Sequence, residues 1–201
     1  MSQQNLTSDS HIWHELVEEV DHLPVYISTP GRNCGPNCGS REFKDELTVS
    51  IHWHEYAEFI WLQGGHMTAV VQADTYELDP GDLLIINSGE LHMTRISQRP
   101  SYCPYVLMQL SAQRMGEYFP GRETLRFTTL IRRAELEKTP AILEPLTAMQ
   151  QLFEANQDGY QLLFRARLFE FLHAMYKLHA STAFRLAENA SARDLKRIMD
   201  V

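Results

Sequence analysis

Between Ser50 and Leu62 the chain reads SIHWHEYAEFIWL. His52 and His54 are separated by one residue, and Glu58 follows four residues after the second. In an extended strand alternate side chains share a face, so residues 52 and 54 point the same way. Glu58 has the same parity if the strand continues, or comes from the next strand after a bend. Imidazole nitrogens together with a carboxylate oxygen suit a divalent ion such as Zn, Ni, Co, Fe or Mn. A fourth ligand has to arrive from elsewhere. His92 is the candidate, because it opens a strand that follows DPGDLLIINSGELH. The same residues could instead line a ligand pocket or form a hydrogen-bonded polar cluster in the core.

Such side chains need a rigid sheet to hold them. The segment LPVYIST (23–29) reads as a strand, and further strand-like runs follow at roughly 46–54, 57–63, 67–73, 75–78, 82–87, 91–97 and 104–110. The punctuation between them is short and rich in turn residues: QGGH, ADT, DPGD, NSGE, SQRPS. Many short strands joined by Gly and Pro turns predict a sandwich or barrel. Its lumen is the natural small-molecule site. Alternation places Tyr56, Ile60 and Leu62 on the face of His54 and Glu58, and Thr94 on the face of His92. Trp53 and Trp61 have the opposite parity and belong to the outer face. His66, in the turn after QGG, reads as a solvent residue at the rim.

After Leu110 the period changes. Ser111 is placed to cap a helix over 111–119. From Thr139, with Pro140 in the first turn, Ile142, Leu146, Met149 and Phe153 recur at spacings of 4, 3 and 4, and Pro145 is a candidate kink. NQDG (156–159) is a turn. In the helix that follows, Phe164, Leu168, Phe171, Met175 and Leu178 repeat at 4, 3, 4 and 3, widened by Phe169 and Leu172. The pattern predicts an antiparallel helical hairpin covering the sheet. The width of the second stripe leaves room for a homodimer seam along Phe164, Leu168, Phe171, Met175 and Leu178. Residues 11–22, with Ile12, Leu16 and Val20 in register, read as a short helix or an arm.

The 201 residues suit one domain, and 44% hydrophobic content supports a sizeable core. The net charge is −8, with 5 Lys/Arg against 15 Asp/Glu over residues 1–111. This balance offers no basic face for a phosphate backbone. No apolar run reaches the roughly 18–20 residues that span a bilayer, and the polar N-terminus is unlike a secretion signal. A soluble, cytoplasmic protein without membrane contact is expected. Cys34 and Cys38 sit in a loop, GRNCGPNCGS; with Cys103 they make an odd count that argues against a disulfide framework.

Taken together, HWHEYAEFIWLQG and PGDLLIINSGELH resemble the two metal-binding motifs of cupins. The resemblance implies a jelly-roll-like β-barrel with His52, His54, Glu58 and His92 as its metal ligands. The second motif departs from the cupin pattern: NSGE stands where a turn proline is usual, and MTRIS follows the histidine. The chain more closely resembles the cupin-like sensor domain of AraC-family transcription regulators, through the segments His52–Gly65 and Tyr76–His92, the LMQLSAQRM run and the helical hairpin. The final ARDLKRIMDV is similar to the opening of that family's DNA-binding domain.

The implied organisation is an arm over 1–22, a cupin barrel over 23–110, a helical dimerisation region over 111–190, and a linker over 191–201 leading to a DNA-binding domain absent from the chain. The implied function is effector sensing and dimerisation, without catalysis. DNA would be contacted only through that further domain. The alternative is a standalone metal-dependent cupin enzyme, a dioxygenase or isomerase.

Overall fold

The computed structural model describes residues 13–14, 19–33, 47–98, 104–120 and 125–181. The cysteines and the tail from 182 onward lie outside them. The strands are β1 (Trp13–His14), β2 (Tyr26–Ser28), β3 (Leu47–Trp53), β4 (Tyr56–Leu62), β5 (His66–Val71), β6 (Asp74–Leu78), β7 (Leu83–Ile86), β8 (His92–Ser97), β9 (Tyr105–Ser111), β10 (Arg126–Phe127), β11 (Leu130–Ile131) and β12 (Ala180–Ser181). The helices are α1 (Ala112–Tyr118), α2 (Arg133–Leu136), α3 (Pro140–Ala155) and α4 (Tyr160–His179).

Two five-stranded sheets face each other, ordered β1-β3-β8-β5-β6 and β11-β7-β4-β9-β2. Among the described residues no strand is hydrogen-bonded into both sheets, so the expected barrel is a jelly-roll-like sandwich. Their facing sides share one apolar cluster: Ile60, Leu62, Leu84 and Ile86 of one sheet meet Met67, Ala69, Val71 and Ile96 of the other. The outer side of the first sheet, with Thr48, Ser50, Glu77 and Arg95, is exposed. That is the usual in–out alternation of a half-solvated antiparallel sheet.

The second sheet is buried on both sides. Ala57, Phe59, Leu83, Ile85, Met108 and Leu110 on its far face meet Ile142, Leu146, Met149 and Phe153 of α3 and Phe164, Leu168, Phe171 and Met175 of α4. Double burial explains why β4 reads YAEFIWL, apolar at nearly every position rather than at alternate ones. The helical hairpin forms as its periodicity predicts. Asn156 and Gly159 take left-handed backbone conformations, φ 48° and 75°, that turn the chain between the helices. Ser111 caps α1 by accepting the Arg114 N–H at 3.2 Å. Thr139 precedes α3 as expected, but its hydroxyl donates to the Glu135 carbonyl instead of capping. Helix α3 runs on through Pro145.

Three expectations change. Within 11–22 the described backbone holds no helix: Trp13–His14 forms a strand parallel to β3, Trp13 opposite His52, which is the arm alternative. Residues 125–138 carry unexpected elements. Here β11 extends the second sheet at β7, and β10 pairs with β12 beyond α4. Their two-residue length left no period to read. The proposed dimer stripe is consumed within the protomer: Phe164, Leu168, Phe171 and Met175 are 0% exposed, and only Leu178 of the five stands out at 56%. A hydrophobic helix stripe finds the nearest apolar sheet first, and here that sheet belongs to the same chain.

Candidate metal centre

His52, the last residue but one of β3, lies directly opposite His92, the first residue of β8. The register of this pair shifts between Val49 and His52. Such a bulge inserts one residue and re-aims the side chains beyond it. Leu47 and Val49 face the lumen at odd positions, yet His52 faces it at an even one. His54 follows in the β3–β4 turn, and Glu58 lies on β4. The bulge therefore decides which face of β3 carries the imidazole.

The three rings are packed together and buried. Their centroids lie 4.1 Å apart for His52–His92, 4.8 Å for His54–His92 and 5.7 Å for His52–His54. One nitrogen of each lies within 4.8 Å of the others. Each Nδ1 meets a carbonyl two residues away: Ser50 for His52 at 2.8 Å, Tyr56 for His54 at 3.1 Å, Glu90 for His92 at 2.8 Å. A carbonyl only accepts, so each Nδ1 carries its proton. The lone pair of a neutral ring then sits on Nε2, which is the arrangement that metal-bound histidines use.

Glu58 joins this cluster. Its Oε2 is 2.8 Å from His54 Nε2 and 3.5 Å from His92 Nε2. Burial pushes the Glu58 carboxyl toward the neutral form, but hydrogen bonds and charge interactions with His54 and His92 outweigh it and hold the pKa well below the usual carboxylate range. An ionised carboxylate facing a lone pair needs a positive charge between them. Either His54 is doubly protonated or a cation stands there. His92 Nε2 is buried with the Glu58 carboxylate at 3.5 Å and no close, well-aligned hydrogen bond, and buried polar atoms are seldom left so. Three buried imidazole nitrogens within 4.8 Å of one another, with the Glu58 carboxylate beside two of them, suit a divalent ion. The cluster could hold Zn, Ni, Fe or Mn.

The turn between β7 and β8 buttresses the centre without the proline expected of a metal cupin. Asn87 N–H donates to the Glu90 carboxylate at 2.8 Å, and Gly89, at φ 78°, donates its N–H to the His54 carbonyl at 2.9 Å. The turn thus joins the His54 and His92 segments.

Beside the cluster lies a cavity of about 130 Å³. Glu58, Ile60 and Thr94 line it as alternation predicted, with His52 and His92 at one side. Leu62 is buried deeper between the sheets, off the cavity wall. Tyr56 is half-buried, with its ring edge-on to His54 at 5.9 Å. Gln109, Tyr105 and Leu107 of β9 also line the cavity; their odd parity along 104–110 was the available signal, and sequence reasoning did not use it. Trp61 packs on the helix side. His66 lies at the sheet edge between Glu77 and Asp79.

The AraC-like ligand binding domain model matches residues 37–172. This chain belongs to that family. A Bacillus subtilis (strain 168) protein described as an uncharacterized HTH-type transcriptional regulator, YdeC, is 32% identical over 63 residues, 31% of this chain and 21% of that protein. The chain therefore spans about a fifth of that relative's length. Among solved structures, one Bacillus subtilis oxalate decarboxylase variant is 17% identical with a TM-score of 0.29, covering 32% of this chain and 18% of its own. Another is 13% identical with a TM-score of 0.30, covering 40% and 27%. Likeness this slight transfers no chemistry. Among the described residues of this AraC-like ligand-binding domain, no helix is long and apolar enough to cross a membrane.

Proposed function

We propose that this domain is the effector-sensing and dimerisation part of an AraC-type transcriptional regulator. In this reading it is cytoplasmic and contacts DNA only through a separate domain. A divalent ion is held by His52, His54, Glu58 and His92, and the effector enters beside it against Ile60 and Thr94. The observation that supports this most directly is the set of three Nδ1–carbonyl bonds, which leaves the Nε2 atoms facing one another. When bound, the ion supplies a positive charge and Lewis acidity to an oxygen donor. Four protein ligands leave two positions on a six-coordinate ion. The 130 Å³ cavity limits the effector there to a few heavy atoms.

The dimer seam in this reading runs along the exposed side of α4. Leu162, Ala166, Phe169 and His173 recur there at 4, 3 and 4, and Leu162 is 74% exposed. The second reading, a metal-dependent cupin dioxygenase or isomerase, is favoured by the same ligand set with its open positions. A sensor changes its association state on loading, because an effector acts by differential affinity for two states. An enzyme turns over without that change.

Elemental analysis of untagged protein is expected to find one divalent ion per chain, and none above background in His92→Ala or His54→Ala. An ion-free wild type sinks the metal assignment. Sedimentation of ion-loaded and chelator-treated protein then separates the readings: an association state indifferent to loading counts against the sensor.

A further inference from the structure

On the opposite side of β4 from the lumen lies a second cavity, of about 310 Å³. It is more than twice the lumen cavity and reaches the lower end of the range that holds organic ligands, roughly 300 Å³. Ala57, Met115 and Leu125 give it apolar walls, and Asn87 and Ser88 contribute the β7–β8 turn. Arg126 is the one charged side chain among the described lining residues. Small side chains make the space. A Cβ on Gly116 would meet nothing within 4 Å.

This cavity touches the supports of the metal centre without touching its ligands. Ala57 adjoins Glu58, and Asn87 and Ser88 belong to the turn that carries His92. Through Asn87 it is also linked to the segment that follows α4. Asn87 Oδ1 accepts the Phe127 N–H at 2.7 Å and its amide donates to the Phe127 carbonyl at 3.1 Å, while Phe127 pairs with Ala180. The Arg126 guanidinium donates to the Ser88 carbonyl, so it is held at the wall.

We propose that this cavity is a second ligand site, for an organic monoanion whose apolar body fills about ten water-sized volumes. The carboxylate meets Arg126, and the body packs on Ala57, Met115 and Leu125. The site does not depend on whether the lumen holds an ion.

Benzoate and benzamide serve as probes, in amide NMR titrations of the ion-free and ion-loaded protein. Benzoate is expected to bind saturably and to shift Ala57, Ser88 and Phe127. Benzamide should bind at least about tenfold more weakly, as loss of a charge-assisted bond implies. Gly116→Phe fills the space from a solvent-facing helix. It should abolish benzoate binding while leaving the lumen resonances of Thr94 and Gln109 in place. Arg126→Met should remove the preference for benzoate over benzamide. No saturable binding, equal binding of the two probes, shifts confined to other residues, or benzoate binding undiminished in Gly116→Phe would each overturn the site.

Discussion

The two faces of β4 make a natural comparison. Odd positions Ala57, Phe59 and Trp61 meet the helices, where the packing is mainly apolar and Phe59 stacks edge-on against Phe171 at 5.3 Å. Even positions look into the sandwich, where Glu58 is buried among three histidines and Ile60 borders open space. The helix face is filled at Phe59, with the flank cavity beside Ala57. The other gathers buried ionisable groups beside a cavity, features that cost stability unless something binds there. The strand thus separates the main apolar packing of the domain from its buried ionisable cluster.

The sharpest way to break this comparison is to damage the dry face. Phe171→Ala and Phe164→Ala should each cost about 3–5 kcal/mol, the usual range for deleting a buried aromatic ring, measured by urea denaturation. The metal content of the molecules that remain folded should not change. Phe171→Glu should prevent folding outright, where a subunit seam at that position would give a folded monomer instead.

The lumen face should behave in the opposite way. Loading a divalent ion to 100 times its dissociation constant should stabilise the wild type by about 2.7 kcal/mol, read as a rise in the urea midpoint that a chelator reverses. His92→Ala should lose this increment. If that variant gained as much from the ion as wild type, the stabilisation would arise elsewhere on the chain.

The α4 surface gives a smaller effect on folding and a clear one on assembly. Leu162→Glu with Phe169→Glu changes exposed side chains and one ring contact, Phe169 on Tyr118 at 4.9 Å, so monomer stability should fall by only about 1 kcal/mol. Sedimentation should nevertheless show the dimer dissociating. A dimer that survives both substitutions places the seam elsewhere.

These contrasts mark what could be read from the residues alone. The sandwich strands and the helical hairpin were legible because period-2 and period-3.6 patterns persist over several residues, as in Met67–Ala69–Val71 and Ile142–Leu146–Met149. The four candidate ligands could be read from the spacing and the cupin-like motifs. The bulge that turns His52 inward could not, because alternation counts residues and a bulge adds one. The destination of the α4 stripe was equally hidden: Phe164 and Phe171 declare that they will be buried, not against what. The flank cavity is formed by Ala57, Gly116 and Leu125, brought together by folding from three separate segments, and small residues far apart in sequence leave no pattern.

The smallest expected effect lies on the exposed side of the first sheet, and it tests how far the comparison extends. His66 Nδ1 is 3.0 Å from Asp79 and Nε2 is 2.9 Å from Glu77, bridging β5 to the end of β6. The hydrogen bonds that His66 donates to Asp79 and Glu77 raise its pKa above its ordinary value; slight desolvation opposes them. A histidine raised on folding contributes stability that is fully present below the unfolded pKa, about 6.5, and is lost as pH rises through the higher folded value. The side chain is about a third exposed and its carboxylate partners more so, so screening should limit the contribution to a few tenths of a kcal/mol. An NMR titration should place the His66 midpoint above that of the same residue in Asp79→Asn, and the wild type should lose its small advantage over that variant as pH rises above the ordinary histidine value. Because His66 stands apart from the lumen, metal loading should leave its midpoint where it was. A midpoint that moved with the ion would mean that the exposed edge and the buried centre respond together, and that the first sheet is not the passive wall its surface pattern suggests.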